Sequence, residues 1–574
     1  MPKPSPAVPI VPSPPPPPPA PSTSATVTHA IGSLVELLAL IYAIFGAAET
    51  GSLAPALGSK YRRSLLVLGG TAVTEALLHL LLPVPWLSVS LAIAVAVIYT
   101  INPVGACEGS RCVADCALPL HMGTVPVLAV GWLGAVGILR WADFVRALYG
   151  TDSLRPYHLV VMFLGSVYLC TALERSGFLH TAAVKVVSHY GRSPWGLFWA
   201  LGCFSATLTV LIPDDIVTMT LTPITIRMCQ LLSLPEIPFL FSQFFAGNIW
   251  AVTLVTGNPT NVLLAEDMKD TFLSFAGRMG WPGIAAGLTS FVLMYWTNRD
   301  KVDVVARHAG GDKELGRLAD TPETEGEGEG GGGGGSSAGT GTGPASKGDD
   351  RQEYTYHGIF CLLRVLAATA FCALEAFHGL PVYLVVLIMG LASLALDACI
   401  DRANAADVLV HMPWELFSFV TAFLVLAEAM ALCGLSRWLA SIFVPLAASR
   451  SVAYVSGFTT MIFCNVFETL PATLIVFKMI DSVPAWSPEA IAAAGALAPL
   501  YRDARRAALS AVIFGSNFGA NTACIGSLGG LMMRRLAALQ GVTVTNAMLL
   551  KQGIPVMIPT MCVACFCLIH QKEI

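Results

Sequence analysis

Apolar residues in this chain fall into blocks that are each long enough to cross a lipid bilayer. A membrane-spanning helix needs roughly 20 predominantly apolar residues, and short polar stretches separate blocks of about this size. The pattern predicts an all-α polytopic membrane protein with about 11 to 14 spans. The blocks lie near 31–48, 64–82, 86–102, 124–140, 158–173, 195–212, 237–256, 272–296, 357–376, 380–398, 416–433, 451–464, 507–523 and 550–569.

Two polar segments of low complexity interrupt this pattern. Residues 1–30 are rich in proline and predict a disordered tail, because such a composition cannot build a core. Residues 298–356 contain a glycine run, Gly330–Gly335, and predict a disordered linker. Basic residues at the start of this linker place it in the cytoplasm by the positive-inside rule.

The linker divides the apolar blocks into two comparable groups. Residues 124–297 are interpreted as a first transporter repeat and residues 357–574 as a second one. Residues 31–123 are interpreted as further N-terminal membrane helices that lie outside the repeats.

The composition excludes several classes of function. Only 12% of the residues are charged and the mean hydropathy is +0.67, whereas soluble domains carry about a quarter charged residues. No basic stripe favours nucleic acid, no basic stretch followed by an apolar one predicts a cleavable signal peptide, and no GxxxxGK[ST] motif predicts ATP hydrolysis. Cys107, Cys112 and Cys116 share a loop without histidine, so we predict no metal site there and no cofactor.

The two groups of blocks carry matching landmarks in the same order. Duplicated halves of this kind are typical of secondary transporters. The third offset is larger because the second group has an insertion near 484–500. The landmark pairs are Gly177 with Gly434 at an offset of 257, Asp214 with Glu468 at 254, and Asn248 with Asn517 at 269.

Acidic residues interrupt apolar sequence at the second landmark. Asp214 and Asp215 follow Pro213, and Glu468 stands three residues before Pro471. A carboxylate at membrane depth costs at least about 2.5–3.5 kcal/mol and usually faces a cavity on an ion or proton pathway. We therefore predict that these acids lie in broken helices and bind the coupling ion, and adjacent carboxyl groups could exchange protons there.

Two polar, flexible segments occur at the third landmark. Gly257–Asn261 and Asn517–Thr522 interrupt apolar sequence at repeat-related positions, and each is interpreted as a re-entrant turn whose half-helix end faces a solute. The predicted solute-binding residues are Gly257, Asn258, Thr260, Asn261, Asn517, Asn521, Thr522 and Ser527.

Two other classes of function are weighed against a transporter. An intramembrane hydrolase needs two aspartates on separate helices, whereas Asp214 and Asp215 are sequential and diverge by about 100° on a helix. A membrane scaffold would not need intramembrane acids at all. We therefore expect no enzyme.

These motifs resemble the ion transporter superfamily of arsenite permeases, silicon-efflux carriers, citrate-type carriers and related sodium/proton antiporters. The resemblance covers about 124–296 and 357–569. It implies two inverted repeats with broken helices and re-entrant hairpins, and a solute site between them that is coupled to protons or sodium. The motifs that carry it are Ala172–Gly177, Asp215 followed by Leu221–Ile224, Gly257–Asn261, Gly519–Asn521 and Ile525–Leu528.

The acidic residues indicate which of the solutes carried by this superfamily is expected. Asp214 and Asp215 stand where an Asn-Asn-Asp run is common in that superfamily, and Glu468 and Thr469 stand where an Asn pair is common, so cation or proton handling is favoured over a simple anion site. We predict efflux of a small inorganic solute, arsenite-like or silicate-like, with Asp215 and Glu468 as coupling acids and Asp214 assisting. The alternatives are a sodium/proton antiporter or a carboxylate carrier of the same fold. A homodimer, and a plasma or vacuolar membrane as the host, remain open.

Overall fold

The computed structural model describes residues 85–101, 123–150, 155–190, 193–232, 234–308 and 347–571. The chain divides into Met1–Arg63 and a compact unit, Ser64–Ile574, to which all described residues belong. The predicted tail, the first two predicted spans and the loop cysteines lie outside the described residues. Within the described ranges all regular structure is helical, which confirms the all-α class.

The helices of the first half lead up to the linker. Capping and proline residues at N-termini set several boundaries: for example, the Ser193 hydroxyl accepts a hydrogen bond from the Gly196 amide, and Pro194 follows at the first helical position. The helices are α1 Pro85–Ile101, α2 Val125–Ala135, α3 Trp141–Tyr149, α4 Tyr157–Arg175, α5 Phe178–Tyr190, α6 Pro194–Thr209, α7 Asp214–Leu231, α8 Glu236–Trp250, α9 Pro259–Asp267 and α10 Phe272–His308.

The helices of the second half follow the same general order. They are α11 Lys347–Ala373, α12 Glu375–His378, α13 Val382–Ile400, α14 Arg402–His411, α15 Trp414–Leu432, α16 Leu435–Leu439, α17 Val452–Phe467, α18 Thr469–Asp481, α19 Pro488–Ala493, α20 Ala498–Gly519, α21 Leu528–Leu539 and α22 Asn546–His570. By length and composition, α4, α13, α15 and α22 are each able to cross a membrane.

The two ends of α10 define the two faces of the helix bundle. We call the face where α10 ends, at His308, and α11 begins, at Lys347, the linker face. The opposite face, where α10 begins at Phe272, is the distal face.

Helix α22 runs antiparallel to α10. Near its beginning, the Gln552 side chain donates a hydrogen bond to Asn298 Oδ1 (2.6 Å), and after its end the Gln571 side chain donates to the Gly277 carbonyl (2.9 Å). Helix α22 therefore begins at the linker face and ends at the distal face.

Helices α6 and α7 form a re-entrant hairpin. At the beginning of α6, Trp195 Nε1 donates to Asp303 Oδ1 (2.7 Å) near the end of α10. At the end of α7, Gln230 Nε2 donates to the Gln540 carbonyl (3.2 Å), which lies just before α22. Both arms therefore start and finish at the linker face, and residues 210–213 form the tip inside the bundle.

Helices α17 and α18 form a second hairpin that opens the other way. Just before α17, the Arg450 guanidinium donates to a carbonyl near the distal end of α22 (3.0 Å). At the end of α18, Asp481 lies 3.7 Å from Arg505, which also pairs with Asp267 (2.7 Å), a few residues before α10. Both arms meet the distal face, and Glu468 lies at the tip.

The other two helix pairs cross the bundle. Helix α8 begins at the linker face directly after α7, whereas α9 ends at the distal face at Asp267. Helix α20 begins near the distal face at Arg505, and α21 ends at the linker face beside Gln540. Each pair is thus one discontinuous helix, broken at residues 251–258 and 520–527 respectively.

This arrangement corrects the prediction of where the chain turns back. The acids were assigned to broken helices and the Gly257–Asn261 and Asn517–Thr522 segments to re-entrant turns. In the structure the acids lie at the hairpin tips, and these two segments lie at the breaks of the discontinuous helices. A helix breaker exposes the same backbone groups in both cases. Whether the chain then turns back or continues depends on long-range packing, such as that between α6 and α8 and between α17 and α20.

The halves are inverted repeats, because one hairpin opens to the linker face and the other to the distal face. Gly177 and Gly434 follow the ends of α4 and α15, with φ of 69° and 80°. Glycine adopts this left-handed conformation without the penalty of a Cβ atom. The landmarks found in the sequence therefore occupy equivalent positions in the fold.

A buried ion pair joins the helices that precede the second hairpin to the first half. Arg364 on α11 donates to Asp397 on α13 (2.7 Å), and the Tyr168 hydroxyl on α4 donates to the same carboxylate (2.8 Å). All three side chains are buried, so the acid has partners for its charge, as a carboxylate at depth requires.

Helices extend into both ends of the segment predicted as a linker, residues 298–356. Helix α10 continues to His308 and α11 begins at Lys347. Residues such as Arg299 and Lys301 therefore belong to a helix, because the change to polar composition marks the exit from an apolar environment and not the end of the helix. The intervening residues, 309–346, lie outside the described residues.

Candidate functional site

Four helix N-termini meet at the tips and breaks inside the bundle. Two belong to the returning arms of the hairpins, α7 and α18, and two to the second pieces of the discontinuous helices, α9 and α21. Each N-terminus carries unpaired amides and the positive end of a helix dipole. The caps are side chains that the sequence analysis selected: Asn258 accepts from the Thr260 amide, Ser527 from the Gly530 amide and Glu468 from the Leu470 amide.

Asp214 begins the returning arm of the first hairpin and points to the first break. Its carboxylate is buried and lies 3.4 and 3.5 Å from Asn258 Nδ2, which donates to it. It also accepts a hydrogen bond from the Asp215 amide (3.1 Å). This acid thus joins the hairpin of the first repeat to the discontinuous helix of the same repeat.

Asp215 and Glu468 approach the beginning of α21 from the two repeats. A Cβ atom on Gly529 would lie 2.9 Å from Asp215 Oδ1. The buried Glu468 carboxylate interacts with the Leu528 amide and with the charge of Asp215. One acid from each repeat therefore shares a single helix N-terminus.

The backbone of Glu468 is unusual. It has φ of 73° and ψ of 163°, a region that is essentially restricted to glycine and costs on the order of 1–3 kcal/mol. It is the N-cap of α18, whereas Asp214 is the first residue of α7. The two acids that the sequence analysis paired therefore differ by one position along their hairpins.

A chain of side-chain amides connects the two discontinuous helices. Asn258 Nδ2 donates to Asn517 Oδ1 (3.1 Å), and Asn517 Nδ2 donates to Asn261 Oδ1 (3.2 Å). Asn248 Nδ2 donates to Asn521 Oδ1 (3.0 Å). Each repeat thus extends an asparagine from its first helix piece, Asn248 or Asn517, to the break of the other repeat.

Three other predicted residues, Thr260, Thr522 and Gly257, lie in the same region and make different contacts. The Thr260 hydroxyl is 3.2 Å from the Ser516 hydroxyl and so also bridges the repeats. The Thr522 hydroxyl donates to the Gly519 carbonyl (2.9 Å), within its own segment. Gly257 lets the chain fold closely, since a Cβ atom there would lie 2.3 Å from the Ala251 carbonyl oxygen.

Several polar residues at the site, among them Asn248, Asn465 and Thr256, were not selected from the sequence. Asn248 was recognised as a repeat landmark but not as a site residue. Asn465, one turn before Glu468, and Thr256, in the first break, each carry a buried side-chain oxygen that has no hydrogen-bond partner among the described residues. An asparagine inside an apolar helix was the available signal for Asn465, because such a residue needs a partner at membrane depth.

The charges of the site have one sign. Among the described residues, the acids Asp214, Asp215 and Glu468 interact with amides, with each other and with Asn258, but with no lysine or arginine side chain. The nearby cation Arg505 pairs with Asp267 and Asp481 at the distal ends of the helices instead. The site thus offers carboxylates and amides.

Replacing Asn517 by alanine is expected to destabilise the site. The substitution leaves Asn258 and Asn261 with unpaired buried groups, each worth about 1–3 kcal/mol. The melting temperature of the purified protein measures the effect. Thr522→Val is the matched control, because its hydroxyl contacts only its own segment. An equal loss for both variants would contradict a bridging role for Asn517.

The chain is similar in sequence to known membrane proteins. The CitMHS family model, described as "Citrate transporter", matches residues 89–501. The "Arsenical pump membrane protein" of Escherichia coli is 22% identical over 453 residues, which are 76% of this chain and 92% of that protein. The "46 kDa membrane protein" of Mycobacterium leprae is 20% identical over 417 residues, which are 72% of this chain and 86% of that protein.

A solved structure is also similar to part of this chain. The Alcanivorax borkumensis YdaH transporter has a TM-score of 0.40 and 15% sequence identity, with 85% of this chain and 98% of that chain covered.

Two conclusions follow from the matched range. It begins at residue 89, within α1, and so includes part of the range 31–123 that was predicted to lie outside the family. It also spans more than half of the chain and belongs to carriers, which confirms the expectation that the protein is not an enzyme. The chain belongs to the CitMHS citrate transporter family and is a multi-pass membrane transporter.

Proposed function

We propose that this transporter exports a small neutral inorganic hydroxide, arsenite-like or silicate-like, in exchange for a coupling ion. Asp215 and Glu468 are the coupling acids and Asp214 assists them. Asn258, Asn517 and their neighbours at the helix breaks bind the solute. The observation that carries the proposal is that the buried carboxylates of Asp214 and Glu468 accept hydrogen bonds from Asn258 and from the Leu470 amide and have no described basic partner.

The chemistry of a neutral hydroxide matches these groups. Its O–H groups can donate to carboxylates such as Asp215, and its oxygens can accept from amides such as Asn258 Nδ2. A tricarboxylate would instead meet buried carboxylates of its own sign, which is unfavourable at short range in a poorly solvated site. The name of the Escherichia coli relative, an arsenical pump, supports the same solute class.

Protons are the coupling ion that we favour. A buried carboxylate without a basic partner is stabilised when it binds a proton, because the neutral form loses less solvation. Asp215 and Glu468 come from opposite repeats and share the N-terminus of α21. A change in their protonation would therefore alter the contact between the repeats, which links ion binding to movement. Sodium is the second candidate, and unpartnered oxygens such as Asn465 Oδ1 are suitable ligands for it.

A carboxylate carrier is the alternative function, favoured by the family description. It would need the acids to be protonated when the solute binds. Uptake or efflux of citrate by proteoliposomes, with no effect on arsenite or silicate, would establish this alternative and overturn the hydroxide assignment. Sodium/proton exchange without any solute would identify an antiporter.

The proposal is tested by arsenic content in an efflux-deficient bacterial host that expresses the chain. Lower cellular arsenic is expected with the native chain and near empty-host levels with Asp215→Asn. Asp300→Asn is the matched control, because that acid is exposed on the last part of α10. If the native chain reaches the membrane and arsenic is still not lowered, the arsenite assignment fails and silicate is tested next. Sodium and pH gradients imposed on proteoliposomes then distinguish the coupling ions.

A further inference from the structure

A cavity lies at the distal face, away from the helix breaks. It has a volume of about 320 Å³ and is formed where the beginning of α10 and the end of α22 meet α20 and Arg450, just before α17. Its charged lining consists of Arg278, Arg450 and Arg506 with a single carboxylate, Asp503. The cavity is therefore positively charged, in contrast to the acidic site.

Two arginines of this cavity, Arg450 and Arg506, have unused hydrogen-bonding capacity. Arg450 donates to carbonyls at the end of α22, but its buried Nε has no partner among the described residues. Neither Arg450 nor Arg506 has a carboxylate within 4.0 Å among the described residues, whereas Arg278 is paired with Asp270. Guanidinium groups in this state favour an anionic oxygen ligand, above all a phosphate group.

The position of the cavity indicates the source of that phosphate. Along α10, large apolar side chains such as Trp281 and Leu288 are 62% and 56% exposed, as expected for a surface that contacts lipid tails. On α22, Phe566 is 54% exposed in the same way. The cavity lies beside the first turns of α10 and the last turn of α22, and its lining residue Leu273 is 55% exposed. An apolar surface that leads into an arginine-lined cavity matches a phospholipid whose headgroup lies at the membrane boundary.

We propose that this cavity binds the phosphate headgroup of an anionic phospholipid. The bound lipid joins α10 of the first repeat to α17 and α20 of the second, so it stabilises the folded carrier by binding the native state alone. This role is separate from solute transport and does not depend on the solute.

The test uses the purified full-length chain in detergent and compares melting temperatures with added phosphatidylglycerol, phosphatidylcholine or inorganic phosphate. Phosphatidylglycerol is expected to raise the melting temperature, and the other two are expected to have little effect. Arg506→Gln should lose most of this rise, because Arg506 lines the cavity and is exposed. Arg502→Gln, an exposed arginine one turn earlier that does not line the cavity, should retain it.

A second variant fills the cavity without changing its charge. A Cβ atom on Gly277 meets no atom within 4 Å, and Gly277 lines the cavity, so Gly277→Leu should also abolish the response to phosphatidylglycerol. Gly280→Leu has equal space on the same helix and is its control. Equal responses to both lipids, or equal responses of each variant and its control, would overturn the proposal. A rise with inorganic phosphate as large as with phosphatidylglycerol would overturn the lipid source in favour of a free anion.

Discussion

Replacing Glu468 by glutamine is expected to reduce solute export to the level of the empty host while the protein still folds. The glutamine side chain keeps an oxygen that can accept from the Leu470 amide, so the cap of α18 is retained. What is lost is the acid that faces Asp215 and the beginning of α21. Because the proposed cycle needs a proton or cation to bind there, coupling should fail.

The measurement is solute efflux from cells or proteoliposomes, beside the melting temperature of the same preparation. Glu468→Gly is an informative companion, because glycine adopts the backbone conformation of this residue without strain. It should also be inactive, because it lacks the acid. Loss of activity in both variants, with and without the strained backbone, would assign the effect to the acid. Glu489→Gln, on α19 away from the breaks, serves as the control. Export by Glu468→Gln at the native rate would eliminate this acid from the mechanism.

Replacing Gly257 by alanine is expected to destabilise the protein and abolish export together. The added Cβ atom would lie 2.3 Å from the Ala251 carbonyl oxygen and 3.0 Å from its Cα atom. These are backbone atoms that cannot rotate away, so the break between α8 and α9 must open. Overpacking of this kind costs typically about 1–3 kcal/mol, and it displaces the Asn258 cap that holds Asp214 and Asn517.

Thermal unfolding and export should be measured on the same samples. Gly280→Ala is the matched control, since a Cβ atom there meets no atom within 4 Å on α10. That change should be neutral or stabilising, as alanine is favoured over glycine inside a helix by roughly 0.5–1 kcal/mol. The close approach in the first break is not essential if Gly257→Ala melts and exports like the native chain.

The types of residue at the site were predictable because these residues differ from the apolar sequence around them. Asp215 and Glu468 stand out as carboxylates in apolar sequence, and Asn258 and Asn517 stand out as amides beside helix breakers. The cost of such groups in a membrane makes a partner or a cavity necessary. Asn465 carries the same signal more weakly, since it is one asparagine in a helix that otherwise reads as apolar, and it was missed.

The pairing of residues across the repeats was not predictable in the same way. Asn248 donates to Asn521, and Asn517 bridges Asn258 and Asn261. These residues are separated by 256 to 273 positions in the chain. Landmark offsets show that two segments are equivalent, but not that each contacts the break of the other. That contact depends on how the inverted halves are packed.

The sequence alone establishes a helical, duplicated membrane carrier with acids and amides at its breaks, because bilayer thickness and desolvation act on local composition. It does not establish the direction of the chain after each break. Pro213 and the Asn258–Pro259 pair are both helix breakers, yet the chain reverses at the first and continues through the bundle at the second. Packing of α6 on α8, and of α17 on α20, decides between these paths. The difference arises because a breaker removes local hydrogen bonds in either case, whereas the path that follows is selected by contacts between distant segments.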